Sequence, residues 1–379
     1  MKKIGIITVH RLPNWGSALQ GYALQKVVES LGFACECINY LYPNPWHVER
    51  GSWKRCVPPL KTRIARMLGL RAPSLQQLVD KFVNSEIKES RTYNTFDDIH
   101  NNPPLYDIYI SGSDQIWNWR TMCADPTYLL DFAPKDKPKI AYSSSFSVNY
   151  IPENLKGMYA KCLSEYKSLS VRESNGSRII KELIGEDAPV VLDPTLLLNN
   201  KQWRDLASKA RWKQEMPEKY ILSYMLNYTF NPKPAMTALL HRLQKRYQCP
   251  VIMLGRANDM FDGEIFQMPK SQGIGVYEFL WLVSHASVVA SSSFHGSAFA
   301  VNMGVPLLAL VEKVDQEDDR IPSFLSSVGL SDNLVTVNTD FDNLDKDGSY
   351  DVESAQQKLD MQRLRSIQFI KDSLEITRL

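Results

Sequence analysis

The segment from Ser287 to Leu310 constrains the fold most strongly, because it joins two apolar runs through a polar turn and a helical pattern. The apolar run 286–290 predicts a buried strand, the Ser-Ser-Ser-Phe-His-Gly turn at 291–296 follows, and small residues then lead a helical pattern. Residues 305–310 predict a second buried strand. In a parallel α/β sheet such a turn lies at the carboxyl edge, where these folds bind ligands.

His295 in this turn is the strongest functional candidate among the six histidines. It is a titratable ring at the start of a predicted helix, whose free N–H groups favour an anion. Three hydroxyls precede it, and Gly296 lets the backbone approach a ligand closely. The structural alternative is that Ser291, Ser292 and Ser293 cap the helix while His295 packs against the backbone.

Two further turns follow the same pattern near the N-terminus. Residues 3–9, 17–31 and 33–40 predict a βαβ unit whose first turn, 10–17, lacks the G-x-G-x-x-G spacing of a dinucleotide site. A strand at 106–110 then leads into a second polar turn at 111–118. Because three such turns follow predicted parallel strands, we expect them to line one cleft.

The chain is long enough for two hydrophobic cores, since its 379 residues exceed the usual size of one domain. The polar segment 199–218 suits an interdomain connection. We therefore predict an α/β protein with two Rossmann-like domains facing across a cleft. The expected ranges are 1–198 with a helical insertion at about 41–104, then 215–350, and 351–379 as a C-terminal helix available to cross back to the first domain.

Composition excludes several classes of function. The 44 basic and 42 acidic residues nearly balance, so no nucleic-acid partner is predicted. The six cysteines are scattered without a C-x-x-C pair, which argues against a metal site or a disulfide framework. No apolar run approaches the roughly 18 residues of a membrane span. The first apolar run is too short for a signal peptide, so a cytoplasmic location is expected.

The segment 54–71 is locally basic, and its charged residues are interspersed with apolar ones. This pattern fits an amphipathic helix resting on the cytoplasmic face of a membrane. It also fits a helix face that is simply solvated, and the sequence leaves both alternatives open.

Five short motifs occur in a fixed order, and together they resemble the polysaccharide pyruvyl transferase family. They are NWGSALQGYAL at 14–24, SGSDQIW at 111–117, SVRES at 170–174, LDPT at 192–195 and SFHG at 293–296. The resemblance covers roughly residues 3 to 330 and implies a fold similar to GT-B glycosyltransferases. It also implies transfer of pyruvate from phosphoenolpyruvate onto a hexose, usually as a ketal. The acceptor would be a surface polysaccharide, such as a capsule or exopolysaccharide, or its lipid-linked precursor, and no cofactor is implied besides phosphoenolpyruvate as co-substrate.

The resemblance and the chemistry together predict roles for individual residues. Donor binding is expected at Arg172, Arg320, Ser291, Ser292, Ser293, Phe294 and Gly296, with the two arginines coming from different domains to one anion. His295 is the expected acid, and Asp114 or Glu173 the expected base. The structural alternatives are a turn-forming Asp114 and an Arg172 held in an ion pair. The acceptor is expected against Asn14, Trp15, Gly16, Ser17, Gln115, Trp117 and Asn118, with both tryptophan rings stacking on the hexose.

One departure from the family pattern keeps other functions open. Many members carry an arginine two residues before the histidine, where this chain has Ser293. A branch with S-F-H-G in this place is more similar, and its later Arg-Ile pair matches Arg320 and Ile321. The alternatives are a GT-B-type glycosyltransferase that uses a nucleotide sugar and a non-catalytic carbohydrate-binding protein of polysaccharide assembly.

Overall fold

A computed structural model describes residues 2–50, 59–227, 230–254 and 261–376 of the chain. The chain divides into two compact units. The first contains Met1–Leu60, Ser74–Leu197 and Gln362–Leu379, and the second contains Lys61–Pro73 and Leu198–Met361. Within these described ranges, no helix is both long and apolar enough to cross a membrane.

The first unit is built on a five-stranded parallel sheet with the order β3-β2-β1-β4-β5. In this sheet Ile6 of the central strand lies opposite Cys37 on one side and Ile110 on the other. The strands are β1 (Lys3–Ile7), β2 (Ala34–Tyr40), β3 (Glu89–Tyr93), β4 (Ile108–Ser111) and β5 (Lys139–Ala141).

The second unit contains another five-stranded parallel sheet, with the order β10-β9-β8-β6-β7. Its central strands are fully buried, as expected for a sheet covered by helices on both faces. The strands are β6 (Ile221–Tyr224), β7 (Val251–Leu254), β8 (Val288–Ser291), β9 (Leu307–Val311) and β10 (Leu334–Thr336).

Helices alternate with these strands along the chain. Among the described residues, short 3₁₀ helices lie at Pro126–Leu129, Pro194–Leu196 and Ser331–Asn333. The α-helices are α1 (Trp15–Ser30), α2 (Pro45–Glu49), α3 (Leu60–Met67), α4 (Leu75–Glu86), α5 (Phe96–Asn101), α6 (Glu153–Leu163), α7 (Ser174–Ile184), α8 (Asn200–Ala207), α9 (Lys233–Tyr247), α10 (Val276–His285), α11 (Phe294–Asn302), α12 (Arg320–Ser327) and α13 (Val352–Ile376).

The observed elements differ from the sequence prediction at three places. The region 41–104, expected to be a helical insertion, also contributes the edge strand β3, whose sequence Glu-Ser-Arg-Thr-Tyr lacks an apolar run. The sequence also predicts strands at 168–171 and 189–192, but these residues form only isolated parallel bridges. The segment 199–218, expected to be a connection, contains α8, whose buried Trp203 packs edge-to-face on Phe299 of the second unit.

The C-terminal helix α13 is divided between the two units. Its residues up to Met361 group with the second unit, and those from Gln362 group with the first. In the first unit Ser366 accepts a hydrogen bond from the backbone N–H of Leu192 at 3.0 Å. The C-terminal helix therefore belongs partly to the first unit, which agrees with the expectation that it crosses back to the first domain.

Two glycines of the first unit test how closely its sheet is packed. A Cβ atom at Gly5 in β1 would lie 2.3 Å from the ring of Tyr106, whereas one at Gly157 in α6 would meet nothing within 4 Å. We expect Gly5→Ala to lower the free energy of unfolding by about 1 to 3 kcal/mol. Gly157→Ala, the matched control, should raise it by about 0.5 to 1 kcal/mol, because alanine favours a helix. Denaturant midpoints that are equal for the two variants would contradict this packing.

Candidate active site

The polar turns of the first unit meet at the carboxyl edge of its sheet. Ser17 lies in the first turn of α1, which Asn14 caps by accepting hydrogen bonds from the backbone of residues 16 and 17. The Ser17 hydroxyl donates to Asp114 Oδ2 at 2.5 Å, although the two residues are 97 positions apart. The turns after β1 and β4, which the sequence predicted to be neighbours, are therefore joined directly.

Asp114 occupies a backbone conformation that few residues adopt. Its φ is 73°, in the left-handed region, and its Oδ1 accepts the backbone N–H of Gln115 at 2.8 Å. The Asp114 carbonyl accepts the backbone N–H of Ser145, which ties the turn after β4 to the segment after β5. Asp114 is thus a turn-forming residue, as the structural alternative held, and its carboxylate also contacts other side chains.

Arg172 carries its positive charge in a buried position between two carboxylates. Its Nη1 donates to Asp193 Oδ2 at 2.9 Å, and its Nη2 lies 3.7 Å from Asp114 Oδ1. The Arg172 side chain is 1% exposed, and that of Asp193 is fully buried. Breaking such a buried pair by removing one partner is strongly destabilising, because the other charge is left uncompensated.

Asp193 is fixed by four hydrogen bonds. Besides Arg172, its Oδ2 accepts from Ser113 Oγ at 2.9 Å, and its Oδ1 accepts from the N–H and hydroxyl of Thr195 at 2.9 and 2.7 Å. Asp193 and Ser113 are site residues that the sequence analysis did not single out. The Leu192-Asp193-Pro194-Thr195 motif was the available signal, because Asp before Pro and Thr is typical of a capped turn.

Glu173 lies beside this network in a fully buried position. Its Oε1 accepts the backbone N–H groups of Phe146 and Ser147 at 2.8 and 3.0 Å. This carboxylate holds the segment after β5 and is covered by protein, so the structure gives it a structural environment. This buried environment does not support the expectation that Glu173 acts as a base on substrate, which stays a prediction.

The environment of Trp117 contradicts the expectation that its ring stacks on a hexose. Its ring is 1% exposed and packs on Phe146 and Tyr166, and its Nε1 donates to the Tyr128 carbonyl at 3.1 Å. It therefore offers no face on which a hexose could stack. An indole that follows a strand can pack in the core or contact a ligand, and Trp117 packs in the core.

The remaining acceptor candidates have mixed environments. Trp15 is buried at the start of α1, and Gly16 follows it, also buried. Asn118 accepts from the backbone of residues 120 and 121, so its amide shapes the turn. Gln115 is partly exposed and accepts from Asn118 Nδ2 at 3.2 Å. Of the predicted acceptor residues, Asn14 and Gln115 have polar side chains that are partly exposed.

A partly buried cluster of polar side chains supports the turn after β1. His10 Nε2 lies 2.7 Å from Glu89 Oε1, and Arg11 Nε donates to the same oxygen at 2.7 Å. Burial alone would raise the pKa of Glu89, but the hydrogen bonds from His10 and Arg11 outweigh it and lower that pKa below its usual value. The cluster anchors this turn to the edge strand β3.

In the second unit, hydroxyl groups organise the turn before α11. Ser291 Oγ donates to the Tyr224 carbonyl at 3.0 Å and accepts the backbone N–H of Ser293 at 3.0 Å. Ser292 Oγ exchanges hydrogen bonds with the backbone of Leu226. Ser293 caps α11 through Gly296 N. The helix-capping role that the sequence offered as a structural alternative is therefore present.

His295 lies in the first turn of α11, just beyond the carboxyl end of β8. It is 5% exposed and packs edge-to-face against Phe294, with 5.4 Å between ring centroids. A side chain at Gly296 would begin 2.3 Å from Ser291 Oγ and 2.8 Å from the Tyr224 ring, so glycine is required there. The predicted position of His295, at a sheet edge and a helix start, is confirmed.

Arg320 begins α12 in the same unit as His295. Its Nε donates to Asp318 Oδ1 at 2.6 Å, and its Nη2 donates to the other oxygen of the same carboxylate. The two side chains are 12% and 14% exposed, respectively. Phe294 and Phe324 are in edge-to-face contact between α11 and α12, with centroids 6.0 Å apart. Arg320 and Arg172 thus lie in different units, as the sequence predicted.

These groups are suited to acid–base chemistry and to binding an anion. Among the residues described by the structure, no group of three His, Cys, Asp or Glu side chains could hold a metal ion. Asp114 offers an acceptor oxygen that already takes a hydroxyl hydrogen from Ser17. The start of α11 carries the partial positive charge of a helix N-terminus, which favours an anion.

The buried pair of Arg172 and Asp193 gives a test of this network. We expect Asp193→Asn to lower the free energy of unfolding of the first unit by about 3 kcal/mol, because the buried guanidinium loses its nearest charge partner. The matched control is Glu182→Gln, which removes the acid of the exposed Arg178–Glu182 pair and should cost less than about 1 kcal/mol. Equal losses in denaturant unfolding would show that Asp193 contributes no more than a surface partner.

Comparison with solved structures places the fold. A UDP-GlcNAc 2-epimerase from Neisseria meningitidis, bound to UDP-GlcNAc, has a TM-score of 0.51 and 9% identity, with 99% of each chain covered. An epimerase of the same name from Methanocaldococcus jannaschii has a TM-score of 0.41, 10% identity and coverage of 94% of this chain and 92% of that one. A spinosyn rhamnosyltransferase has a TM-score of 0.43, 11% identity and coverage of 99% and 100%.

At these identities the similarity concerns the fold alone, and it supports a GT-B-like α/β fold with two parallel sheets, as predicted. No match was found among curated protein sequences. A sequence model of one family, described as polysaccharide pyruvyl transferase, matches residues 14–313. The match spans about four fifths of the chain and includes both the Asp114 network and the turn of His295. The chain therefore belongs to the polysaccharide pyruvyl transferase family.

Proposed function

We propose that this enzyme transfers the pyruvyl group of phosphoenolpyruvate onto a hexose of a surface polysaccharide or its lipid-linked precursor, forming a cyclic ketal. The observation that carries the proposal is the position of His295, an acid–base side chain in the first turn of α11 directly after the carboxyl end of β8. Family membership supplies the class of reaction. The donor, the ketal and the acceptor are the proposed parts.

Ketal formation requires one acid and one base near neutral pH. Protonation of the methylene carbon of phosphoenolpyruvate creates an electrophilic centre, which one sugar hydroxyl attacks. Phosphate leaves, and a second hydroxyl of the same hexose closes the ketal. The two hydroxyls lose one proton each; the balance places one proton on the new methyl group and the other on the departing phosphate. We assign the donated proton to His295, because histidine can donate and accept protons at physiological pH.

We assign the base to Asp114. Its Oδ2 already accepts a hydroxyl hydrogen from Ser17 at 2.5 Å, which is the kind of contact that a sugar hydroxyl would make. Gln115 beside it is partly exposed and can hydrogen-bond a second hydroxyl. The acceptor residues of the proposal are thus Asn14, Gly16 and Ser17 in one turn, with Asp114 and Gln115 in the other.

We assign donor binding to the turn at 291–296 and to Arg320. Phosphoenolpyruvate brings a phosphate and a carboxylate, so guanidinium groups and helix N-termini suit it. Arg320 is paired with Asp318, but both side chains are partly exposed and only two residues apart, so an incoming anion can replace that carboxylate. Arg172 is held by the buried Asp193, and we propose that it positions Asp114.

The role of His295 can be tested by substitution. We expect His295→Ala to leave the far-ultraviolet circular dichroism spectrum unchanged and to lower turnover by on the order of a hundredfold or more, the usual range for a lost general acid. Turnover is measured as phosphate released from phosphoenolpyruvate in the presence of the glycan acceptor. His285→Ala, which changes an exposed histidine at the end of α10, is the matched control and should stay near wild type. Near-normal turnover of the His295 variant would remove the assignment.

The donor can be identified independently of turnover. A ligand that binds only the folded chain raises its melting temperature, by the equivalent of about 2.7 kcal/mol at a concentration one hundred times its Kd. We expect phosphoenolpyruvate to raise the melting temperature and Arg320→Ala to abolish that rise. A rise with a nucleotide sugar instead would favour a glycosyltransferase, and no rise with either would favour a non-catalytic carbohydrate-binding protein.

A further inference from the structure

Helix α3 and the residues that follow it expose a stripe of large apolar side chains. Every large apolar residue of this segment is between 44% and 80% exposed, and the helix has no buried residue. The exposed residues are Leu60, Ile64, Met67, Leu68 and Leu70. A surface helix of a globular protein normally turns such residues toward the core, whereas the described part of the chain leaves this stripe uncovered.

The apolar residues share one face of the helix. At about 100° per residue, Leu60, Ile64, Met67 and Leu68 fall within an arc of roughly 100°. The backbone N–H of Leu68 donates to the Ile64 carbonyl at 3.0 Å, so Leu68 continues the helical turn. On the same wheel Lys61 and Arg63 flank the arc, one on each side. The segment is therefore amphipathic, with its apolar face outward and cations at both edges.

The charge of this region has a single sign. From Gly51 to Val79 the sequence contains six basic residues and no acidic residue, whereas the whole chain is nearly balanced. Lys61, Arg63 and Arg71 are exposed and form no ion pair with other residues in the described part of the chain. The segment is fixed to the second unit, because Ala72 N donates to the Lys270 carbonyl at 2.9 Å.

We propose that α3 and residues 68–71 dock this enzyme onto an anionic lipid surface. Unpaired cations beside exposed aliphatic side chains match a surface of acidic headgroups over hydrocarbon, where the cations contact the headgroups and the stripe enters the boundary below them. The centre of a protein interface instead favours aromatic residues, and this stripe of exposed apolar side chains contains none. The eight residues of α3 span about 12 Å, which is too short to cross a bilayer. In the proposal the helix therefore lies along the boundary between lipid headgroups and hydrocarbon. This proposal does not depend on the donor or acceptor.

Vesicle co-sedimentation of the full chain tests the proposal. We expect binding to vesicles that contain phosphatidylglycerol, weaker binding as salt is added, and little binding to phosphatidylcholine alone. The triple variant Lys61→Gln, Arg63→Gln, Arg71→Gln should weaken binding roughly a hundredfold, at about fivefold per cation. The variant Ile64→Ser, Met67→Ser, Leu68→Ser should weaken it on the order of a hundredfold by removing the inserted stripe.

The matched control is Met361→Ser, Leu364→Ser in α13, where two apolar residues are similarly exposed at 54% and 70% among charges of both signs. This variant should bind vesicles within about twofold of wild type. Because all the substituted residues are exposed, melting temperatures should stay close to wild type and exclude unfolding as the cause. Absence of binding to anionic vesicles, or binding that both α3 variants retain, overturns the proposal. Self-association that only the α3 variants lose, without vesicle binding, would assign the stripe to a second copy and also overturn it.

Discussion

The polar turns at the edge of the first sheet depend on the ion pairing of the buried Arg172 guanidinium. A charge with so little access to water must be paired, and the pairing draws together segments that are distant in sequence. Asp193 faces Arg172 from one side and Asp114 from the other, and Ser17 reaches Asp114 from the first turn of the chain. Each of these segments follows a strand or an isolated bridge of the parallel sheet. The polar turns are therefore set by electrostatic necessity as well as by the strands that lead into them.

In the second unit, uncharged groups hold the polar turn at the edge of the sheet. Ser291 and Ser292 bond to the backbone at the end of β6, and Ser293 caps α11, so the turn before His295 is held by hydroxyls and backbone. This turn requires glycine at position 296, because a Cβ atom there would collide with Ser291 and Tyr224. A neutral, rigid turn at a helix start leaves the partial positive charge of the helix available to an anion. At the position where many family members carry an arginine, Ser293 caps α11, and the proposed donor site uses Arg320 of the same unit instead.

The sequence could predict the central strands and the three turns because buried parallel strands are continuous apolar runs with polar ends. It could not predict β3 or β10, since edge strands are half solvated and need no such run, as the sequence of β3 shows. It placed His295 correctly from local pattern alone. It misjudged Trp117 and gave no role to Asp193, because whether a side chain after a strand points to the core, to a partner or to a ligand depends on residues far along the chain. The Arg172 pairing spans 21 and 58 positions, and no local spacing encodes it.

Arg172 and Arg320 differ in whether an incoming anion can displace the carboxylate that each of them contacts. A donor with about three negative charges can contact a guanidinium only where an existing carboxylate can withdraw, because at about 4 Å two like charges repel by roughly 1 to 4 kcal/mol, depending on solvent access. Asp193 cannot withdraw, since it is buried and held by four hydrogen bonds. Asp318 precedes a helix and is partly exposed, so water can take up its charge when it leaves Arg320. The same physical contrast supports the proposal that Arg172 positions Asp114 while Arg320 binds and releases the donor anion.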